Sequence, residues 1–258
     1  MRQAFFRALF GLVAIAAGTA WLPAYTYYGA HVTAQPPWIT RIEVYNNGDA
    51  SESFTLTVWN SQGQQVSSTE YDVGANAVTR VVMPADDSYV AAPGEIVLEA
   101  VEGTCAVATA SKRIRPKLSY RYGDSLSLCE FFMQDTLAWE YVLPNTIQAH
   151  FIGTGVAVMN PTDVILPVRL EAFRQGTPVG DSGTVPIAPH TKLVSISEGI
   201  WPGVGADDFD MVRIRSDQAA FPTPMAITWD QFNDRQRTRT PNHSGWELPL
   251  GGSLGVPF

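Results

Sequence analysis

The sequence matches itself at a shift of 114 residues, and this internal repeat is the strongest constraint on how the 258-residue chain folds. Under the shift, residues 38–46 lie over residues 152–160, and the match continues through the next turn and segment. The matched pairs are Thr40 and Thr154, Ile42 and Val156, Val44 and Val158, Asn46 and Asn160, Asp49 and Asp163, Phe54 and Val168, Leu56 and Leu170, Val58 and Ala172, and, after one residue is dropped, Gly63 and Gly176. Self-similarity at a fixed period predicts two similar units in tandem.

Apolar residues alternate with polar ones within each unit, which is the pattern of a half-buried β-strand. In the first unit, for example, Phe54, Leu56 and Val58 share one face of a predicted strand. Turn-forming residues punctuate these runs, and no stretch after residue 25 keeps a helical apolar period over three turns. Short strands separated by regular turns predict an all-β fold of two tandem antiparallel β-sandwich domains.

The domain boundaries follow from the repeat. We expect a first domain at 25–130, a linker at 131–141, a second domain at 142–240 and an extended C-terminal tail at 241–258. The linker region carries the aromatic residues Phe131, Phe132, Trp139 and Tyr141. We expect these rings to pack between the domains. The segment at 113–130 has no visible counterpart in the second unit, and we interpret it as an extended hairpin.

The matched asparagines Asn46 and Asn160 each end a predicted strand. An asparagine side chain at such a position bonds to backbone groups of its own turn. We therefore interpret both residues as turn formers and not as ligands.

The N-terminus has the pattern of a secretory signal peptide. Two arginines precede an uncharged apolar run at 8–17, and small residues follow at 18–20. We predict cleavage after Ala20, with Ala24 as the second choice, so that residues 1–20 are the signal peptide. An uncleaved anchor is the weaker alternative because the apolar stretch is short for a membrane span. The expected location is the periplasm, the cell surface or the extracellular medium, with no membrane span in the mature chain.

The two cysteines, Cys105 and Cys129, agree with export. An even number of cysteines in an exported chain favours a disulfide, here one that closes a loop and contributes about 3 kcal/mol. The alternative is a pair of unpaired buried thiols. The sequence has no Cys-x-x-Cys pattern and no Cys/His cluster, so a zinc site is not predicted.

The run W-x-T-x-I-x-V-x-N at 38–46, followed by a turn, an alternating strand and a hairpin, resembles a loose group of uncharacterised secreted bacterial β-sandwich repeats. These repeats are immunoglobulin-like in general shape. The resemblance covers about 28–112 and 142–230, and Ile152 stands in the second unit where the first has Trp38. It implies an exported β-sandwich and transfers no catalytic residue to this chain.

The chain is acidic, with 25 acidic and 17 basic residues and a net charge of −8. It therefore lacks the basic footprint of a nucleic-acid binder. Basic residues gather at 113–117 and at Arg235, Arg237 and Arg239. Such a patch suits an anionic surface or polymer, although a solvated hairpin tip is the stronger interpretation of 113–117. The partners we expect are a protein, a second copy of the chain, or a polysaccharide.

One motif imitates a catalytic site. Residues 180–183 read Gly-Asp-Ser-Gly, which is the nucleophile motif of chymotrypsin-like proteases. Thr184 follows where those proteases have another glycine, and no histidine has their sequence context. We interpret the segment as a turn, predict no catalytic residue and no cofactor, and keep a serine hydrolase using Ser182 only as a remote alternative.

Two further groups of residues suit ligands. Trp38, Trp59 and Trp229 would stack on sugar rings if they were exposed, although packing in a core or interface is the stronger interpretation. The acidic residues Asp207, Asp208 and Asp210 offer oxygen ligands for Ca²⁺, but a solvated turn is favoured and no metal site is predicted. We expect a non-enzymatic exported protein with a structural or adhesive role, and a carbohydrate-binding module as the alternative.

Overall fold

The computed structural model describes residues 25–33, 38–84, 89–98, 105–122, 128–135, 140–144, 151–216, 224–230 and 235–239. The predicted signal peptide at 1–20 and the predicted tail at 241–258 lie outside these ranges. Within the described ranges, no helix combines the length and the apolar character that a membrane crossing requires.

The N-terminal part of the described chain forms two sheets. Its strands are β1 (Tyr25–Gly29), β2 (Trp38–Asn46), β3 (Glu52–Trp59), β4 (Gln65–Val73), β5 (Ala77–Met83), β6 (Glu95–Val97), β7 (Cys105–Ala110), β8 (Arg115–Tyr122) and β9 (Leu128–Phe132). Sheet A has the order β1-β7-β3-β4, and sheet B has the order β6-β5-β2-β8-β9. All neighbouring strands are antiparallel except β5 and β6, which are parallel.

The C-terminal part repeats this organisation. Its strands are β10 (Glu140–Pro144), β11 (Phe151–Met159), β12 (Leu166–Arg174), β13 (Thr177–Ile187), β14 (Lys192–Ile196), β15 (Met211–Arg215), β16 (Pro224–Asp230) and β17 (Arg235–Arg239). A single helical turn, α1 (Ser197–Ile200), and a 3₁₀ turn (Ala206–Asp208) lie between β14 and β15. Sheet C has the order β10-β15-β12-β13, and sheet D has the order β14-β11-β16-β17. The prediction of an all-β, antiparallel, sandwich-like fold is confirmed.

The strand order of sheet A recurs in sheet C, and that of sheet B recurs in sheet D once the short edge strand β6 is left out. In this correspondence β8 and β9 match β16 and β17. The segment 113–130, for which the sequence shows no visible counterpart, therefore has one in the fold. Sequence comparison missed the match because the paired strands share a position in the sheet and few residues.

Each pair of sheets encloses a core built from alternating apolar residues. Phe54, Leu56 and Val58 of β3 are at most 1% exposed, as their alternation predicts, and they pack in the first core. The matching residues of β12 in the second core are Val168, Leu170 and Ala172. Burying a side chain such as leucine or phenylalanine stabilises a fold by about 1.5–3 kcal/mol.

Asn46, the last residue of β2, is buried and joins three parts of the first unit. Its Nδ2 donates to the carbonyl oxygens of Ala50 at 2.8 Å, Val73 at 3.2 Å and Gly74 at 3.0 Å. Its Oδ1 accepts from the backbone N–H of Gly48 at 2.9 Å, which is the turn contact that the sequence predicts. The side chain also ties the end of β2 to the end of β4.

Asn160, directly after β11, repeats these contacts in the second unit. Its Nδ2 donates to the carbonyl oxygens of Val164 at 2.7 Å, Ile187 at 2.9 Å and Ala188 at 3.2 Å. Its Oδ1 accepts from the N–H of Thr162 at 3.0 Å. The partners stand at the same sequence separations as those of Asn46. We call this arrangement the asparagine clamp.

Loss of an asparagine clamp should be costly, because it leaves buried carbonyl groups without donors. We expect Asn160→Ala to lower the free energy of unfolding by about 2–4 kcal/mol in denaturant titrations. Asn60→Ala is the matched control, since half-buried Asn60 makes similar turn contacts to Gln62 and Gln64 that are open to solvent. It should cost less than about 1 kcal/mol, and equal losses in the two variants would contradict the role of the clamp.

Candidate functional site

The last four residues of strand β11, 156–159, are buried on both faces of the strand and belong to two cores. Val156 and Val158 pack in the second core, whereas Ala157 and Met159 join the apolar cluster of the first pair of sheets. Since successive side chains of a strand point to opposite faces, sheet D turns its outer face toward the first pair of sheets. The two pairs of sheets therefore meet through a packed interface, which we call the joint.

Part of the joint lies on the outer face of sheet A. Cys105 of β7 and Trp59 of β3 are paired in register and lie on the face opposite Phe54, Leu56 and Val58. Residues on an outer face are normally solvated, yet Cys105 is 0% exposed. The thiol donates a hydrogen bond to the carbonyl oxygen of His190 at 3.2 Å, in the loop between β13 and β14.

His190 covers this end of sheet A. Its ring stacks on Trp59 with the centroids 5.0 Å apart and the planes 10° from parallel. Its Nε2 lies 2.8 Å from Oδ1 of Asp163. The backbone of His190 has a φ of 53°, an uncommon conformation for a residue with a side chain, and the tertiary contacts of the ring hold it there. Nδ1 is buried without a hydrogen-bond partner among the described residues.

The backbones also approach closely in the joint. Gly63, in the turn between β3 and β4, has a φ of 75°. A Cβ atom at this position would lie 2.2 Å from the carbonyl oxygen of Pro189, which is well inside van der Waals contact. Gly176 occupies the matching turn of the second unit with a φ of 79°, and no atom lies within 4 Å of the corresponding Cβ position.

Lys192, the first residue of β14, carries an amine into the joint. It is paired in register with Met159, so both side chains lie on the face turned toward the first pair of sheets. Its Nζ lies 2.6 Å from Nδ1 of His31 and donates to the carbonyl oxygen of Val32 at 2.9 Å. His31 and Val32 follow β1, so this contact links the start of the described chain to sheet D.

Burial sets the charge states in this cluster. It lowers the pKa of the Lys192 ammonium to about 7, from an ordinary value of 10.5. Burial, together with the charge of Lys192, holds the pKa of His31 well below its usual value. Burial raises the pKa of the Cys105 thiol to about 12. Cys105 is thus a neutral thiol and His31 a neutral imidazole that accepts a hydrogen bond, which suits a structural contact better than nucleophilic chemistry.

Of the three tryptophans predicted to suit a sugar, only Trp59 has a side chain among the described residues. It is half-buried, packs against the first core and gives one ring face to His190. The side chains of Trp38 and Trp229 lie outside the described residues. A sugar platform of these three residues therefore stays a prediction. One face of the Trp59 ring is already covered by His190 in the joint.

Ser182 serves the backbone of its own hairpin. Its hydroxyl accepts a hydrogen bond from the N–H of Leu170 at 2.9 Å and donates to the carbonyl oxygen of Gly183 at 2.7 Å. The pairing of β12 and β13 is irregular here, and the hydroxyl fills the break in the ladder. The neighbouring Asp181 forms an ion pair with Arg169. Ser182 and Asp181 of the protease-like motif thus have local structural roles.

Two of the three aspartates considered for calcium are engaged by backbone donors. Oδ2 of Asp208 accepts from the N–H of Gly205 at 2.8 Å, and Oδ2 of Asp210 accepts from the N–H of Gln175 at 2.7 Å. Asp207 is exposed. In the described part of the chain, no three His, Cys, Asp or Glu residues are grouped as metal ligands.

Cys105 is a free thiol in this structure. The side chain of Cys129 lies outside the described residues, so the disulfide between the two cysteines has no support here and stays a prediction. The backbone places them in different sheets, with Cys105 at the start of β7 in sheet A and Cys129 within β9 at the edge of sheet B.

Two of the four aromatic residues that we expected to pack between the domains lie elsewhere, and the side chains of Phe131 and Trp139 lie outside the described residues. Tyr141 lies in the second core, and Phe132 lies at the edge of sheet B beneath Arg115. The residues that do form the joint, among them Gly63, His190 and Lys192, come from distant turns and strand ends. No local pattern marked Lys192, since a single lysine at the start of a strand normally indicates a solvated position.

No protein-family model matches this chain, and no curated protein has significant sequence similarity to it. The resemblance to secreted bacterial β-sandwich repeats therefore remains a prediction. A function for this chain has to be inferred from its own residues and their contacts.

Gly63→Ala should open or strain the joint. Alanine is strained at the positive φ of both Gly63 and Gly176, but only at Gly63 does its Cβ meet another backbone. We expect Gly63→Ala to cost about 1–3 kcal/mol more than Gly176→Ala in the free energy of unfolding, and to expose the Cys105 thiol to a thiol reagent. Equal costs, with Cys105 protected in both variants, would contradict the close approach.

Lys192→Met should remove a pH dependence of stability. Between pH 7 and 10.5 the unfolded chain holds a proton on Lys192 that the folded chain has released, so this group makes the wild type more stable as the pH rises. The advantage of the wild type over Lys192→Met should therefore grow from pH 7 to pH 10 in denaturant titrations. Lys112→Met, at an exposed lysine, controls for loss of positive charge. The same pH trend in both variants would refute a special state of Lys192.

Proposed function

We propose that this chain is an exported, non-enzymatic protein whose two tandem β-sandwich units form one rigid structural or adhesive module. The observation that carries the proposal is the joint, where buried Cys105 and half-buried Lys192 hydrogen-bond between two pairs of sheets of matching strand order. A module of this kind holds the loops at its two ends in a defined relation, and such loops can supply binding surfaces.

A gene duplication accounts best for the two units. They share the strand order of both sheets, apart from the additional strand β6. They also share the asparagine clamp of Asn46 and Asn160, whose partners stand at the same sequence separations. Matching contacts between residues so far apart support a common origin more strongly than alternating apolar residues, which any two sandwiches have in common.

The contacts of the joint support rigidity. Domains connected only by a chain segment move relative to one another by default, unless an apolar interface of good size holds them. Here Ala157 and Met159 of β11 are buried in the apolar cluster of the first pair of sheets. Hydrogen bonds from Cys105 and Lys192 and the stacking of His190 on Trp59 add directional contacts around this apolar centre.

The hydrogen bonds of two reactive side chains, Cys105 and Ser182, support a role without catalysis. The thiol of Cys105 has a pKa of about 12 and bonds to a backbone carbonyl. The hydroxyl of Ser182 bonds to two backbone groups of its hairpin. Because these contacts stabilise the backbone, we favour a structural or binding role over a serine hydrolase.

Export and rigidity can be tested together on the full chain with a C-terminal tag, produced in a bacterial host. We expect the protein outside the cytoplasm, with a new N-terminus at residue 21 or 25, and a single protease-resistant fragment that contains both pairs of sheets. A variant lacking residues 2–20 is the control and should stay in the cytoplasm. An uncleaved chain in the cytoplasm, or rapid cleavage into two separate resistant units, would contradict the proposal.

A further inference from the structure

Strand β4 forms one edge of sheet A. It is the last strand in the order β1-β7-β3-β4, and β3 is its only strand neighbour among the described residues. Ser68, Thr69 and Glu70, in the middle of β4, lie on both faces of the strand, and all three are exposed. An edge strand has alternate N–H and C=O groups that its own sheet does not pair. A further strand can pair with these groups unless something blocks its approach.

The unobstructed part of this edge is the stretch Ser67–Tyr71. A β-bulge at Val66 lies before it. After it, the carbonyl oxygen of Asp72 accepts a hydrogen bond from Oγ1 of Thr79 at 2.7 Å. Between these two points β4 is regularly paired with β3 and has no proline, glycine or basic residue. We call Ser67–Tyr71 the open edge.

The equivalent strand of the second unit, β13, is protected against pairing of this kind. Its residues Pro178 and Pro186 have no N–H group to offer. Its pairing with β12 is interrupted twice, and the hydroxyl of Ser182 fills one of the breaks. Proteins use prolines and bulges in this way to prevent edge-to-edge association. The two units therefore differ at this edge, and β4 is the strand that is left open.

The remaining strands at the edges of the described sheets are shorter than β4. Five residues or fewer make up each of β1, β6, β9, β10, β14 and β17. Strand β1 is also bonded from outside its sheet, because the N–H of Tyr28 donates to the carbonyl oxygen of Gln134 at 2.7 Å and the N–H of Gln134 donates back at 3.1 Å. Strand β4 is therefore the described edge best suited to strand addition.

We infer that the open edge pairs in antiparallel fashion with the open edge of a second copy of this chain, about a twofold axis at Thr69. Thr69 is the middle residue of the open edge, so this register uses all five residues of each copy. It places Ser68 opposite Glu70 of the second copy and Ser67 opposite Tyr71 of the second copy. Sheet A then continues from one copy into the other. The inference rests on the proposed structural role and names its partner.

The charges and hydroxyl groups of the open edge fit this register. Glu70 carries the only charged side chain of the open edge, and no ion pair joins it to another described residue. The hydroxyl oxygen of Ser68 lies 3.1 Å from that of Thr57. When Thr57 donates to it, Ser68 can donate its own proton to the carboxylate of Glu70 in the second copy. Pairing about Glu70 would instead place two carboxylates opposite each other, which is unfavourable.

The size and symmetry of the contact determine the kind of assembly. Both copies use the same patch, so the interface is isologous and closes at two copies. Five residue pairs bury much less than the roughly 1,200 Å² of an interface of standard size. We therefore expect a weak, reversible dimer.

The test is sedimentation velocity of the exported full-length protein at concentrations from about 10 µM to 1 mM. A salt concentration of about 150 mM screens the net negative charge of the two copies. We expect a monomer–dimer equilibrium in the wild type. Thr69→Asp places two carboxylates opposite each other at the axis, and Thr69→Lys places two ammonium groups there. Each variant should raise the dissociation constant about tenfold. An equimolar mixture of the two variants should dimerise at least as tightly as the wild type, because opposite charges then meet.

The matched control is Thr184→Asp, at an exposed threonine of β13. Its dissociation constant should stay within about twofold of the wild type, and thermal unfolding should show that all three variants are folded. Four results would each overturn the inference: a monomer at every concentration, equal weakening by Thr69→Asp and Thr184→Asp, no recovery in the mixture, or assemblies of more than two copies. An exported, rigid protein that stays monomeric would leave the proposed function standing.

Discussion

The packing of the two pairs of sheets against each other depends on the burial of one end of the outer face of sheet A. Trp59 and Cys105 lie on the side of sheet A that faces away from its own core, where water would normally reach them. The loop between β13 and β14 contacts both of them through His190, and Pro189 of the same loop lies against Gly63. Strand β11 adds Ala157 and Met159 to the apolar cluster of the first pair of sheets. Because water is excluded from this surface, polar groups in the joint need hydrogen-bond acceptors or donors within the protein. The amine of Lys192 bonds to Nδ1 of His31 and to the carbonyl oxygen of Val32.

The two units have the same framework and differ where the joint requires it. Both retain an asparagine that ties a strand end to the following hairpin, since the carbonyl groups it satisfies are present in each. The matched glycines Gly63 and Gly176 show the divergence. Both have a positive φ, but only the turn of Gly63 lies against another backbone. Both units of a tandem pair can thus keep the same turn conformation while only one of them forms a contact surface.

Much of each unit could be predicted from sequence, because its determinants are local. The alternation of Phe54, Leu56 and Val58 fixed which side of β3 is buried, and Asn46 was correctly assigned to a turn. The long-range half of the clamp was not predicted, because its partners lie 27 and 28 residues away. The joint escaped prediction for the same reason, since its residues come from separate strands and turns and have no shared spacing.

The central claim is that the joint makes the two pairs of sheets one rigid body. Backbone ¹⁵N relaxation of the folded chain tests it most directly, because it reports the tumbling of every described strand. The account predicts a single rotational correlation time for sheets A to D, of the length expected for the whole chain. Two shorter correlation times, one for each pair of sheets, would show that the units tumble independently and would contradict it.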